Sequence, residues 1–268
     1  MRRRLPVRLA AGAARLWPVP VAVVLWEVAA RRAQAVYFPP PSQIAARLHE
    51  MWFSGPAGRL FLTDDALVHV LPSLGRLLLG WALACAAGIA AGVALGRSAT
   101  LSQYLGPLIH FGRTLPPPVL LPYFLLLFGV GTPTQLAAIV FGVVWPVLVN
   151  SIEGARHIDR QYLETAQAFG ISRRQRLTRI ILPGAMPKIF AGLRLSVALA
   201  LIMMVVSELL GGTEGVGYRL LIAQGEVDIP TMWSATLLLG LLGIAFNAAF
   251  LAVERRVLRW HRAARAEA

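Results

Sequence analysis

The sequence predicts an all-α integral membrane protein of about six transmembrane helices, with a basic two-helix segment on its inner side. Three observations carry that prediction. Of 268 residues, 57% are hydrophobic and only 15% charged, with a mean hydropathy of +0.63, whereas soluble domains carry about 25% charged residues. Several apolar runs reach the roughly 20 residues needed to cross a hydrocarbon core of about 30 Å. The net charge of +13 is concentrated: residues 1–16 carry +5, residues 153–188 +4 and residues 254–268 +3. All three belong on one face of the membrane if positive charge stays inside, which accounts for the basic character without any nucleic-acid partner. No polar stretch is long enough for a separate soluble domain. The expected organisation is a basic cytoplasmic segment 1–16, a membrane domain 17–253 and a basic cytoplasmic tail 254–268, in a multi-pass protein of the inner membrane.

Residues 17–35 read as a retained first helix rather than a signal peptide. Glu27 interrupts the apolar run, and Ala30-Arg31-Arg32-Ala33 is a poor cleavage context. Glu27 belongs either at the interface or against the bundle interior, and Arg31 and Arg32 fall on the side where cations are disfavoured. Phe38-Pro39-Pro40-Pro41 begins a non-helical connection. Ser42 is then placed to cap an amphipathic helix, residues 43–52, lying on the membrane surface.

Residues 71–96 give the clearest span. Gly88, Gly92 and Gly96 recur at intervals of four, so backbones can approach closely along that stripe, within the subunit or against a second copy. Arg76 lies one turn in and can snorkel or pair. The next segment, 104–128, is broken at Arg113-Thr114-Leu115-Pro116-Pro117-Pro118. Three prolines end a helix. Irregular backbone at membrane depth survives only where protein or a watery cavity covers it. Arg113, Pro116 and Pro117 are therefore candidates for a translocation pathway; the competing reading is a loop joining two half-length elements near a surface. A turn at Gly129–Pro133 leads to a span over 135–150, interrupted at Trp145-Pro146, and later spans cover 189–210 and 232–253. Glu208 ends the first of these as a further pathway candidate or an interfacial residue. Residues 213–231 read as a mildly acidic outer loop.

Between the spans lies residues 158–187. Asp159 is a good N-cap, with Ile158 and Leu163 placed as a hydrophobic staple. A short helix runs to Phe169, where Gly170 takes the left-handed conformation that ends it. Ser172 and Gln175 form a capping box for a second, arginine-rich helix, which Pro183 and Pro187 stop or bend.

Glu164-Thr165-Ala166, then Gly170, then Ile180-x-Leu182-Pro183 resembles the EAA loop of permease subunits in binding-protein-dependent ABC importers. Thr165 is the one departure, a change a helix accepts at modest cost. The likeness extends over the chain after the first helix through Phe38-Pro39-Pro40-Pro41, Leu115-Pro116-Pro117-Pro118, Phe128-Gly129-Val130-Gly131 and Ala191-Gly192-Leu193-Arg194. It is greatest to the nitrate, sulfonate, taurine and bicarbonate group. The resemblance implies a MetI-like fold and transport of a small solute, an organic or inorganic anion, between an extracytoplasmic binding protein and two cytoplasmic ATPase subunits, by a permease homodimer. It implies ATPase contact through Glu164, Thr165, Ala166, Phe169, Gly170, Ile171, Leu182 and Pro183.

The residues themselves offer no catalytic machinery. The five histidines are scattered with no i, i+4 pair for a metal, and no phosphate-binding Gly-x-x-x-x-Gly-Lys-Ser/Thr loop is present. Cys85 is the single cysteine, so no intramolecular disulfide is available. No cofactor is expected. A self-contained secondary carrier or channel is the main alternative, and an embedded enzyme is disfavoured by the missing polar cluster. A self-powered carrier places ionisable residues near mid-membrane, whereas here they fall mostly near predicted span ends.

Overall fold

A computed structural model describes residues 17–260. The basic segment 1–16 and most of the basic tail, residues 261–268, lie outside the described residues. Ten helices follow in order: α1 (Pro18–Ala33), α2 (Pro41–Trp52), α3 (Ala66–Arg97), α4 (Ala99–Thr114), α5 (Leu121–Phe128), α6 (Thr132–Arg156), α7 (Arg160–Ala168), α8 (Arg173–Gly211), α9 (Val216–Gly225) and α10 (Ile229–Val257). Short 3-10 turns occupy Ala57–Arg59 and Pro117–Leu120. No strand occurs among the described residues. Helices α3, α6, α8 and α10 are long and apolar enough to cross a membrane, and α4 with Pro117–Phe128 makes a further, bent candidate. The sixth expected span corresponds to α1, whose 16 residues reach about 24 Å at about 1.5 Å per residue.

Two compact units divide the chain. One comprises the residues up to Leu67 with Leu220–Leu238. There Glu27 links α1 to the start of α2. Its carboxylate accepts from the Ser42 backbone N–H at 2.9 Å and from the Ser42 hydroxyl at 2.7 Å, with Arg31 2.6 Å away. Ser42 is thus no cap. Proline occupies the first turn of α2, and Glu27 supplies from α1 the anion that the exposed amides of a helix start attract. Nor does α2 lie on an open surface: Ile44, Met51 and Trp52 are buried, the Trp52 indole donates to Ser234 Oγ at 3.0 Å, and Arg47 donates to Thr231 Oγ1 at 3.0 Å. Trp26, Phe38 and Trp233 form an aromatic trio with centroids 5.3–6.4 Å apart.

The second unit, Val68–Arg219 with the chain from Leu239, holds the main core. Helix α6 packs along its length against α3 and α8. One buried group gathers Val93, Val147, Ala155, Ala185 and Ile189, and the other Leu77, Ala84, Ile139, Val143 and Met204. In lipid the tails are as apolar as leucine, so close fit rather than expulsion of water drives this packing. A Cβ on Gly88 would lie 3.0 Å from the Val147 side chain, on Gly92 2.7 Å from the Leu148 carbonyl, and on Gly96 2.6 Å from the Ile152 carbonyl. The glycine stripe of α3 therefore faces α6 of the same chain. Trp81 donates to Ser196 Oγ at 2.8 Å and meets Phe246 and Phe250 edge-on.

Proline behaves differently from the sequence expectation at three places. Pro146 does not interrupt α6, which runs from Thr132 to Arg156 with the proline inside it; membrane helices tolerate proline in their interiors. Pro183 and Pro187 do not stop α8, which runs unbroken for 39 residues. A π-turn, Leu177–Ile181, immediately precedes Pro183, and its wider i→i+5 winding relieves the clash a proline ring makes with the preceding turn. Only the triple proline after α4 breaks the chain, by 90°. The region read as an outer loop, 213–231, is also mostly helical, because α9 occupies Val216–Gly225.

Candidate coupling site

Helix α7 is held by its ends. Asp159 accepts the Gln161 N–H at 2.9 Å. At the other end the Ile171 N–H reaches the Ala166 carbonyl at 2.9 Å and the Gly170 N–H the Gln167 carbonyl at 3.0 Å, with Gly170 at φ +66°. These two bonds complete a Schellman turn, the arrangement that satisfies final-turn carbonyls. Ser172 follows at once, bonding reciprocally with Gln175. Four residues therefore turn the chain from α7 into α8 with a fixed geometry.

The predicted contact residues divide by exposure. Phe169 is 81% and Tyr162 66% exposed, large aromatic groups with little of this chain over them. Glu164, Thr165 and Gly170 are exposed too, with Glu164 accepting from Arg160 Nε at 2.6 Å. Ala166 is different. It is only 3% exposed, so its methyl group packs on its own chain. Leu182 is half-buried and packs on the core group around Ile181 and Ala185; Ile171 and Pro183 are also half-buried. A cavity of about 460 Å³ lies beside α7, lined by His157, Asp159, Tyr162, Arg179, Pro183 and Trp260 among others. Arg194 ties α8 to α10 through Glu254, Nε to Oε2 at 3.1 Å.

The pathway candidates are not brought together as one cluster. Arg113 and Pro116 are exposed at the bend, whereas Pro117 is half-buried near α6, 3.5 Å from where a Cβ on Gly142 would stand. Glu208, read as a pathway candidate or an interfacial residue, is closed in by its own chain. It is fully buried. Its Oε1 accepts from Arg76 Nη2 at 2.8 Å and Ser73 Oγ at 2.7 Å, and Oε2 from the Gly217 N–H at 2.9 Å. Arg76, 5% exposed, also reaches Glu214 at 3.2 Å. Arg76 does not snorkel because a buried carboxylate is within reach. Sequence reading placed acid and base singly but not as a pair, since 132 residues separate them; a glutamate beside Gly211 and Gly212 was the available signal.

Residues 84–259 match the family of binding-protein-dependent transport system inner membrane components. The chain belongs to that family. It is the transmembrane permease subunit of an ABC importer, an inner-membrane, multi-pass protein that is not itself an enzyme. The permease is 29% identical over 239 residues to the taurine transport system permease protein TauC of Escherichia coli K12, covering 89% of this chain and 86% of TauC. It is 31% identical over 241 residues to the formylaminopyrimidine transport permease protein ThiX of Halalkalibacterium halodurans, covering 90% of this chain and 92% of ThiX. The permease also shares its fold with a chain of the MetNI methionine ABC transporter in inward-facing form, with a TM-score of 0.61 at 18% identity over 70% of this chain and 94% of that one.

Proposed function

We propose that this permease moves a small anion, of the sulfonate, taurine, nitrate or bicarbonate kind, across the membrane while a separate ATPase subunit docks on α7. The supporting observation is the exposed face of Glu164, Thr165, Phe169 and Gly170, delivered by a fixed turn into a helix of 39 residues. At about 1.5 Å per residue α8 is about 58 Å long, well beyond the roughly 30 Å of hydrocarbon. A push on α7 is thereby carried across the membrane by one element. Both termini and α7 lie on the cytoplasmic side, two permease copies enclose the path, and an extracytoplasmic binding protein delivers solute opposite α7. Arg113, Pro116 and Pro117 flank that path at the 90° bend, where an exposed guanidinium meets an anion. The likeness to a taurine permease supports an anionic cargo, and the likeness to a formylaminopyrimidine permease puts that compound in the same uptake comparison.

The test uses Gly170. No atom crowds it, so only its backbone angle demands glycine, and a β-branched residue at φ +66° is strongly disfavoured whereas asparagine tolerates it. In cells lacking the native chain, Gly170→Val is expected to abolish solute uptake with the permease still inserted, and Gly170→Asn to keep most of it. Native uptake by Gly170→Val would falsify the coupling role. Solute transport by the purified chain alone, without nucleotide or partners, favours the self-powered carrier instead.

A further inference from the structure

We propose that Glu208 is a positioning residue of the transport cycle: its clasp on α3 and on residues 212–217 stays shut throughout, so that the end of α8 remote from α7 carries those residues with it. This rests on the reading of α7 as the ATPase contact.

Three segments meet at one carboxylate. Ser73 and Arg76 come from the first turns of α3, Glu208 from the last turn of α8, and Gly217 from the start of α9. The Val216 N–H donates to Ser73 Oγ at 3.0 Å and the Gly215 N–H to His69 Nδ1 at 3.2 Å. The Gly212 N–H still bonds the Glu208 carbonyl at 3.1 Å as the last turn of α8, and the ties from Gly215 and Val216 fasten the residues that follow to α3. The segment is also shaped around Glu208. A Cβ on Gly217 would stand 2.8 Å from Glu208 Cβ, and one on Gly215 would strike the carboxylate itself.

The energetics favour a permanent tie over a gate. Separating one partner from a buried ion pair leaves an uncompensated charge, and each orphaned backbone N–H adds its own desolvation cost. Packing alone does not require such a pair, because apolar residues of similar volume serve as well or better. What the carboxylate adds is direction: from the end of α8 it binds α3 and the start of α9 in one register.

The test uses the full complex of permease, ATPase and binding protein in proteoliposomes. An environment-sensitive fluorophore on Thr213→Cys reports the exposed residue Thr213; the native Cys85 is buried. ATP is expected to change its signal. Glu208→Gln is expected to cut that response about tenfold while hydrolysis continues, the change produced by losing a tie worth about 1.4 kcal/mol. An undiminished response overturns the proposal. Should Glu208→Gln fail to assemble, Ser73→Ala takes its place with the same two outcomes. Separately, Ser73→Cys with Val216→Cys is oxidised without nucleotide, with ATP and with ATP plus vanadate. Equal rates of disulfide formation are expected, and a rate that falls in any nucleotide state shows that the clasp opens and overturns it. A permease to which the ATPase does not bind at all defeats the docking reading instead.

Discussion

The two ends of α8 are built on opposite principles. At the α7 end the surface is open: Phe169 and Tyr162 stand clear of the chain, the Arg160–Glu164 pair is exposed, and order comes from caps made by neighbours in sequence. At the Glu208 end the Arg76–Glu208 pair is buried and matched, and order comes from residues far apart in the chain. The first is how a surface waits for a partner, and the second is how a structure holds itself. Two glycines state the same contrast, because Gly170 is required for its dihedral angle in empty space and Gly92 for space at an ordinary helical angle.

The largest effect expected from breaking this contrast is at the closed end. Arg76→Ala leaves Glu208 buried without its cation, which costs about 3–5 kcal/mol, read as a large drop in thermal unfolding temperature of the purified permease. Replacing both residues by methionine is expected to recover part of the loss, because the uncompensated charge is gone. Equal destabilisation by the single and double variants contradicts the ion-pair account.

The glycine stripe comes next. A valine at position 92 meets Ser151 and the Leu148 carbonyl, and overpacking of this kind costs about 1–3 kcal/mol. Gly75, on the same helix with nothing near it, is the control. Its conversion to alanine is expected to leave the unfolding temperature unchanged or slightly higher, since alanine is the better helix former by about 1 kcal/mol.

What the sequence made legible follows the same division. The caps at Asp159 and Ser172, the left-handed Gly170 and the α3 stripe are local or periodic signals, so each could be read from a short window. The Glu208 clasp was not legible, because nothing local states that Ser73 and Gly217 will converge on residue 208. The prolines misled for a physical reason. A proline's cost depends on local winding, such as the π-turn ahead of Pro183, and composition does not state the winding. The burial of Ala166 was not legible either, because a motif names residues without saying which side of the helix the chain covers.

At the open end the expectation reverses: binding should suffer and stability should not. Phe169→Ala is expected to weaken association with the ATPase subunit by more than about 1 kcal/mol, as for an aromatic anchor at the centre of a contact. The unfolding temperature should stay where it is, as exposed substitutions usually change stability by less than about 0.5 kcal/mol. Co-purification of the ATPase at native yield and affinity with the variant would remove Phe169 from the contact.

The smallest effect belongs to Arg160→Ala. Its partner Glu164 is 2.6 Å away, yet the two side chains are 90% and 62% exposed, and exposed pairs one helical turn apart contribute only about 0.3–0.5 kcal/mol. Stability is therefore expected to be nearly unchanged. Removing Arg160 also frees Glu164 from the guanidinium that pairs with it, so any effect on ATPase affinity reports Glu164 rather than the fold. Glu164→Gln is the complement. If the carboxylate itself meets a cation on the ATPase, Glu164→Gln weakens association and added salt narrows the gap between native and variant, because screening weakens exposed charge contacts. If association is salt-independent and insensitive to both changes, α7 docks by its aromatic residues alone and the charged pair only decorates the helix.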